Sequence, residues 1–282
     1  MKIGINTVLW FWPFNVKKVD IFKKIKEIGF EVVEFAIVDR TEGNIKIIRD
    51  ALEKYNLECI IDGVVGGERD ILSPDKELMK AGIEYLKESI ILCSKLNCKF
   101  LVGPTYSVGI KKFLFDSEKR PKSWKRCVDA YRLIAELAEE KNVKIAIEPL
   151  NRYETNFLNT AQQVKRLVEE INSSYVGIHL DTYHMNIEEK SFHEALLTAG
   201  NKLFHMHVPE NDRGTPGTGN IRWDDIAKGL KEINYEYNID LEIAHPHVEN
   251  IREPGAIWRV YDYQPDKMAK EGYKYLKSIL FN

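Results

Sequence analysis

Cysteine is scarce in this chain and unpatterned: Cys59, Cys93, Cys98 and Cys127 are the only four in 282 residues, and no two form a Cys-x-x-Cys pair. Such scattered thiols are no disulfide framework and fit a reducing compartment. No stretch approaches the roughly 18 consecutive apolar residues of a membrane span. A basic start and an apolar run, the marks of a secretory signal, are also missing; residues 1–13 read as a strand leading into an aromatic turn. Excess charge of either sign is absent. The 41 Lys and Arg against 43 Asp and Glu leave a net charge of −2, which removes the broad basic footprint of a nucleic-acid binder. No linker rich in Pro, Gly or Ser and no low-complexity segment divides the chain. What is present is 44% hydrophobic residues for a large core and 30% charged residues to coat it. These features predict a soluble, cytoplasmic globular protein with neither membrane nor nucleic acid as partner.

Strand and helix patterns alternate throughout. Runs of β type fall at 2–9, 32–36, 58–61, 100–102, 144–147, 176–180, 203–208 and 239–243. Helical patterns lie between them at 16–28, 45–55, 76–96, 122–141, 161–171, 192–198, 223–233 and 265–280. In the fourth helix Val128, Tyr131, Leu133, Ile134, Leu137 and Ala138 keep close to one apolar face. Gly29, Asn56 and Asn142 stand where helices should stop. Eight such units average about 35 residues each, which predicts one α/β domain over residues 1–282, a single (β/α)8 TIM barrel, rather than an open sheet with a second domain. The irregular segments 62–74, 103–121, 151–160 and 209–222 all follow strands. In such a barrel they decorate the carboxyl-end face, where active sites sit.

Four candidate ligands occur where strands end: Glu148, Asp181, His207 and Glu242, spaced by 33, 26 and 35 residues. Each interval is about one βα unit, so four successive strands offer one group each at the same level. Three carboxylates and one imidazole form a hard, oxygen-rich set suited to Mn²⁺, Mg²⁺ or Co²⁺ and less typical of structural zinc. Each residue alone would as readily be a loop or capping group; the shared spacing carries the reading.

Around those residues stand Glu-Pro-Leu-Asn-Arg-Tyr-Glu at 148–154, Leu-Asp-Thr-Tyr-His-Met-Asn-Ile-Glu-Glu at 180–189 and His-Val-Pro-Glu-Asn-Asp-Arg-Gly at 207–214, followed by Pro-Gly-Thr-Gly at 216–219 and Trp223. The sequence resembles the D-tagatose 3-epimerase and D-psicose (allulose) 3-epimerase family, within the xylose-isomerase-like TIM-barrel superfamily. The likeness runs from Met1 to Arg259. It implies that Glu148, Asp181, His207 and Glu242 hold one divalent ion per subunit, Mn²⁺ first and Co²⁺ or Mg²⁺ as alternatives. It also implies that Glu148 and Glu242 act as the acid/base pair on the two faces of a sugar. Inversion at C3 asks for two such groups, because one base working on one face gives exchange without inversion.

The resemblance further implies that Glu154, His184 and Arg213 bind the sugar near O1 to O3, and that the enzyme forms homodimers or homotetramers. Without it, Glu154 reads as a solvated loop acid, His184 as a helix cap and Arg213 as a loop staple. Asn6, Phe14 and Gly66 are taken as further substrate contacts. Asn6 stands where family members commonly carry an aromatic residue, and the first loop, 9–14, also departs from the family. Both would touch C4 to C6 of the sugar. His179 and His205 share the parity of Asp181 and His207 and read as core histidines or groups that orient ligands. His245 and His247 read as loop residues. Trp10, Phe11, Trp12, Tyr106 and Phe113 are divided between lining a pocket and packing.

Aldose–ketose isomerisation and inosose dehydration would use the same metal site and differ in the proton moved. A phosphorylated substrate is disfavoured by the lack of a Gly-rich cradle or Lys/Arg cluster in the last two strand–helix loops. A type-IV abasic-site endonuclease shares the barrel but needs about nine ligands for three zinc ions; the segment 211–216 supplies no second histidine, and the balanced charge argues against a DNA groove. A catalytically dead sugar-binding barrel would lack one of the two glutamates, yet both are present. The expectation is a divalent-metal-dependent 3-epimerase of free ketoses, of the D-tagatose, D-fructose, D-psicose or L-ribulose type.

Overall fold

The computed structural model describes residues 1–259 and 264–281. Eight strands close into a parallel barrel in sequence order: β1 (Lys2–Asn6), β2 (Val32–Phe35), β3 (Glu58–Asp62), β4 (Phe100–Gly103), β5 (Lys144–Ile147), β6 (Val176–Asp181), β7 (Leu203–His207) and β8 (Asn238–Leu241). The last pairs with the first, Gly4 opposite Asp240, so no strand edge is left open. The expected (β/α)8 barrel is the observed fold.

Helices α1 (Ile21–Ile28), α2 (Glu42–Tyr55), α3 (Lys76–Lys95), α4 (Lys119–Lys141) and α5 (Ala161–Ile171) follow the first five strands. A short α6 (Thr182–Glu188) precedes α7 (Phe192–Ala199), and α8 (Trp223–Glu232), a short α9 (Glu249–Arg252) and α10 (Pro265–Leu280) complete the ring. Local chemistry sets the ends. Asn56, Asn142 and Asn172 close α2, α4 and α5 in the left-handed conformation, with φ of 48°, 53° and 58°. Thr160 and Gln163 form a reciprocal capping box at the start of α5. Among the described residues no helix is long and apolar enough to cross a membrane.

Several element bounds differ from the sequence expectation, among them the start of α1, at Ile21 rather than 16, and of α2, at Glu42 rather than 45. The first strand stops at Asn6, because the Asn6 side chain accepts from the Val8 N–H at 2.9 Å and turns 7–9 into a 3-10 segment. The helix α4 begins three residues earlier than expected, with Pro121 tolerated in its first turn, where no intrahelical donor is needed. The helix α6 was not anticipated; the Asp181 carboxylate caps it by accepting from the Tyr183 N–H at 2.6 Å.

Two apolar regions divide the interior. The larger lies between strands and helices and includes Phe22, Phe35, Leu86, Tyr131, Val164 and Leu276. The smaller, Val32, Ile60, Val102, Ala146 and Phe204, plugs the barrel. Gly177 leaves room for Phe204 there: a Cβ at this position would lie 2.3 Å from the phenyl ring. Farther along the same strands the inward positions turn polar: Glu34 after Val32, Asp62 after Ile60 and Glu148 after Ala146. The fold thus seats its ionisable groups on an apolar floor.

Candidate active site

Asp181 and His207 pair across β6 and β7, and Glu148 and Glu242 follow the last residues of β5 and β8. Their side chains converge. His207 Nδ1 lies 3.9 Å from Glu148 Oε1, 3.6 Å from Asp181 Oδ2 and 3.5 Å from Glu242 Oε2. Glu148, Asp181 and His207 are buried, and Glu242 is partly exposed at the edge of a cavity of about 500 Å³. Glu154, His184 and Arg213 line the same cavity, together with Asp62, Trp12 and Val108.

A residue missing from the sequence reading governs His207. Glu34 on β2 is fully buried and accepts from His207 Nε2 at 2.8 and 3.0 Å, from His205 Nε2 at 3.0 Å and from Asn6 Nδ2 at 2.7 Å. Burial pushes Glu34 up, but the two imidazoles outweigh it and hold the carboxyl well below the usual carboxylate range. With its Nε2 proton committed to Glu34, the neutral form of His207 presents a bare Nδ1 to the three other carboxylates. Burial likewise pushes His207 down, yet Glu34 and Glu242 raise it well above an ordinary imidazole. The cluster is therefore built to receive positive charge.

Two buried atoms test whether a divalent cation fits. Asp181 Oδ2 and His207 Nδ1 face each other at 3.6 Å, and neither has a hydrogen-bond partner among the described residues. A buried lone pair left in this state is costly unless something fills it. An oxygen-rich set with one imidazole Nδ1, oriented from behind by a carboxylate, is the donor chemistry of a Mn²⁺-type site. Asp181 is held at about 2: burial pushes it up, and His207, His184 and Arg213 more than offset that. Glu148 goes the other way, raised well above the usual range by burial and by the negative charge of Glu242, Asp181 and Asp62.

Arg213, in a left-handed conformation with φ of 60°, donates to Glu242 Oε2 at 3.0 Å and to Glu154 Oε1 at 3.3 Å, with its guanidinium 4.2 Å from the Tyr183 ring. His184 Nδ1 accepts from the Asn151 backbone N–H at 3.1 Å, which fixes the proton on Nε2, facing Glu148 Oε1 at 3.8 Å. Burial lowers His184, so the ring is a neutral donor.

The xylose isomerase-like TIM barrel family matches residues 22–279. The chain belongs to this family. Among its relatives, a ketose 3-epimerase from Arthrobacter globiformis is 32% identical over 237 residues, covering 84% of this chain and 81% of the relative. An L-ribulose 3-epimerase from Mesorhizobium japonicum is 31% identical over 261 residues, covering 92% and 87%. The crystal structure of a D-allulose 3-epimerase from Methylomonas sp. superposes with a TM-score of 0.92 at 27% identity, covering 99% of this chain and 98% of the other. Within the family the chain groups with the ketose 3-epimerases, enzymes of the isomerase class.

Three expected substrate contacts lie elsewhere than at the cavity wall. Phe14 is buried against Phe22 and Phe35, at ring separations of 5.4 and 4.8 Å. Gly66 lines an adjoining cavity. Asn6 sits beneath the site, bonded to Glu34 and 3.4 Å from Glu242. His245 and His247 contact one another, with ring centroids 4.3 Å apart, and neither lines the cavity. Of the aromatics, Trp12 reaches the cavity, whereas Tyr106 is buried against Phe157. The sequence signal for Glu34 was a charge inside the apolar strand Val-Val-Glu-Phe.

Glu34→Gln keeps the shape and removes the charge that orients His207. The expected outcome is divalent-metal affinity weaker by about 10- to 100-fold in a calorimetric titration. An unchanged affinity would deny Glu34 this role.

Proposed function

We propose that the protein interconverts ketoses epimeric at C3, of the D-fructose/D-psicose, D-tagatose or L-ribulose type, by removing the C3 proton on one face and returning one on the other. The observation that supports this best is the approach of Glu148 and Glu242 to one point from β5 and β8, strands separated by β6 and β7.

Glu148, Asp181, His207 and Glu242 would hold the divalent ion, Mn²⁺ in the first instance, which supplies Lewis-acid stabilisation of the negative charge that grows on the ketose oxygens. Glu242, paired with Arg213, takes or returns the proton at one face. Glu148 serves the other face. The Nε2–H of His184 is a fixed donor to a sugar oxygen. Arg213 and Glu154 hold the sugar's O1–O3 edge, and Arg213 also opposes the charge of the enediolate. The wall of Trp12, Val64, Val108 and Leu150 excludes water from the carbanion.

This reading carries with it a cytoplasmic homodimer or homotetramer, and the four free, buried thiols support a reducing compartment. Its test is incubation of Mn²⁺-supplemented protein with D-fructose, D-psicose, D-tagatose and L-ribulose. The expected product in each productive case is the C3 epimer, identified by NMR. An aldose as the sole product would replace epimerisation with isomerisation.

A further inference from the structure

A second cavity, of about 460 Å³, adjoins the first and shares Trp12, Val64 and Val108 with it. Its far wall holds Arg40 from the segment after β2, Arg69 from the segment after β3, and Tyr85 from α3. The Arg69 guanidinium lies 4.0 Å from the centroid of the Tyr85 ring and that of Arg40 lies 4.9 Å away. Arg40 Nε donates to the Ile37 carbonyl at 3.2 Å, while its Nη1 is buried without a hydrogen-bond partner among the described residues. Neither arginine forms an ion pair among the described residues.

We infer that the substrate is a ketose whose end remote from C1–C3 carries an oxyanion, a phosphate ester or a carboxylate, held in this second cavity by Arg40 and Arg69. The inference rests on the 3-epimerase reading above and narrows its substrate class. Three arguments support it. First, charge is segregated. Asp62, Glu148, Glu154 and Glu242 line the first cavity against the single Arg213, whereas two guanidiniums line the second against the single acid Glu88. An oxyanion on the sugar is attracted to the latter. Second, a guanidinium stacked on an aromatic ring keeps its planar edge free, and that edge matches a phosphate or carboxylate with two parallel hydrogen bonds. Third, pockets for small ligands span roughly 300–1,000 Å³. The first cavity by itself, at about 500 Å³, accommodates a free ketose, and the second adds room beyond it. The cationic pair comes from the loops after the second and third strands.

The test compares kcat/KM for D-fructose 6-phosphate, D-fructuronate and D-fructose, and for L-ribulose 5-phosphate and L-ribulose, using the full chain with Mn²⁺. The variants are Arg40→Met, Arg69→Met and the charge-preserving Arg69→Lys. Calorimetric binding of D-fructose 6-phosphate and D-fructose is measured in parallel. The expected result is at least a tenfold preference for an anionic ketose over its uncharged counterpart. That preference should fall tenfold or more in both methionine variants and partly recover in Arg69→Lys; the better of phosphate and uronate identifies the oxyanion. If uncharged ketoses are epimerised as well as or better than anionic ones, or if the preference survives both methionine variants, the inference is overturned while the 3-epimerase reading stands. If no sugar is epimerised, that reading fails, and binding decides the subsite. Tighter binding of the phosphorylated sugar that is lost in Arg69→Met upholds the subsite, and equal binding refutes it.

Discussion

Glu148→Gln and Glu242→Gln each lower the rate of C3 epimerisation by about 10³-fold or more, because each removes the proton acceptor on one face. The more telling expectation concerns exchange. A variant that keeps one carboxylate can still remove the proton from the epimer that presents its C3–H to that face and return it there. Each variant should therefore exchange C3–H with solvent in one epimer without inverting it, and the two variants should choose opposite epimers. Both glutamates also approach His207 Nδ1, at 3.9 and 3.5 Å, so a calorimetric metal titration must accompany the kinetics. A variant that still binds the ion but has lost inversion isolates the proton-transfer role. A nearly wild-type rate in either variant would remove the two-base mechanism.

Stripping divalent ions with a chelator should lower epimerisation by about 10³-fold or more, with recovery on adding Mn²⁺, Co²⁺ or Mg²⁺; Lewis-acid stabilisation of this kind is worth several kcal/mol. Ion saturation at about 1,000 times Kd should also stabilise the fold by about 4 kcal/mol, readable as a rise in Tm. The pH dependence has a definite sign. His207 is raised well above an ordinary imidazole by Glu34 and Glu242, and its proton must leave before Nδ1 can accept a cation. Metal affinity should therefore fall as pH falls, starting from a higher pH than for an isolated imidazole, by about tenfold per pH unit while one proton is displaced. Full activity after exhaustive chelation, or affinity independent of pH, would contradict this assignment.

The eight-unit alternation was legible because strand and helix periods are local properties, and the ends of α2 and α4 were marked by Asn56 and Asn142. The four candidate ligands were legible because a barrel places strand ends at one level. Glu34 was not. In sequence it is one acid in a short strand, and its meaning comes from His205 and His207, which lie 171 and 173 residues away. Asp240 was hidden in the same way: it lies in the barrel interior beside Gly4, its register partner on β1, where a Cβ would come within 2.3 Å of its carboxylate. Phe14 looked like a sugar contact because it sits in an aromatic loop, yet packing against Phe22 and Phe35 buries it. The pairing of Arg40 and Arg69 on Tyr85 joins three separate segments, and no spacing rule links them.

The central claim is transfer of the C3 proton, and deuterium incorporation tests it most directly. The Mn²⁺-supplemented protein is incubated in D₂O with D-fructose, L-ribulose and their terminal phosphates, and NMR locates the label. The account predicts that deuterium appears at C3, in the epimerised product first. Label at C1 of the ketose, or at C2 of a newly formed aldose, with none at C3, would contradict it and make the enzyme an aldose–ketose isomerase.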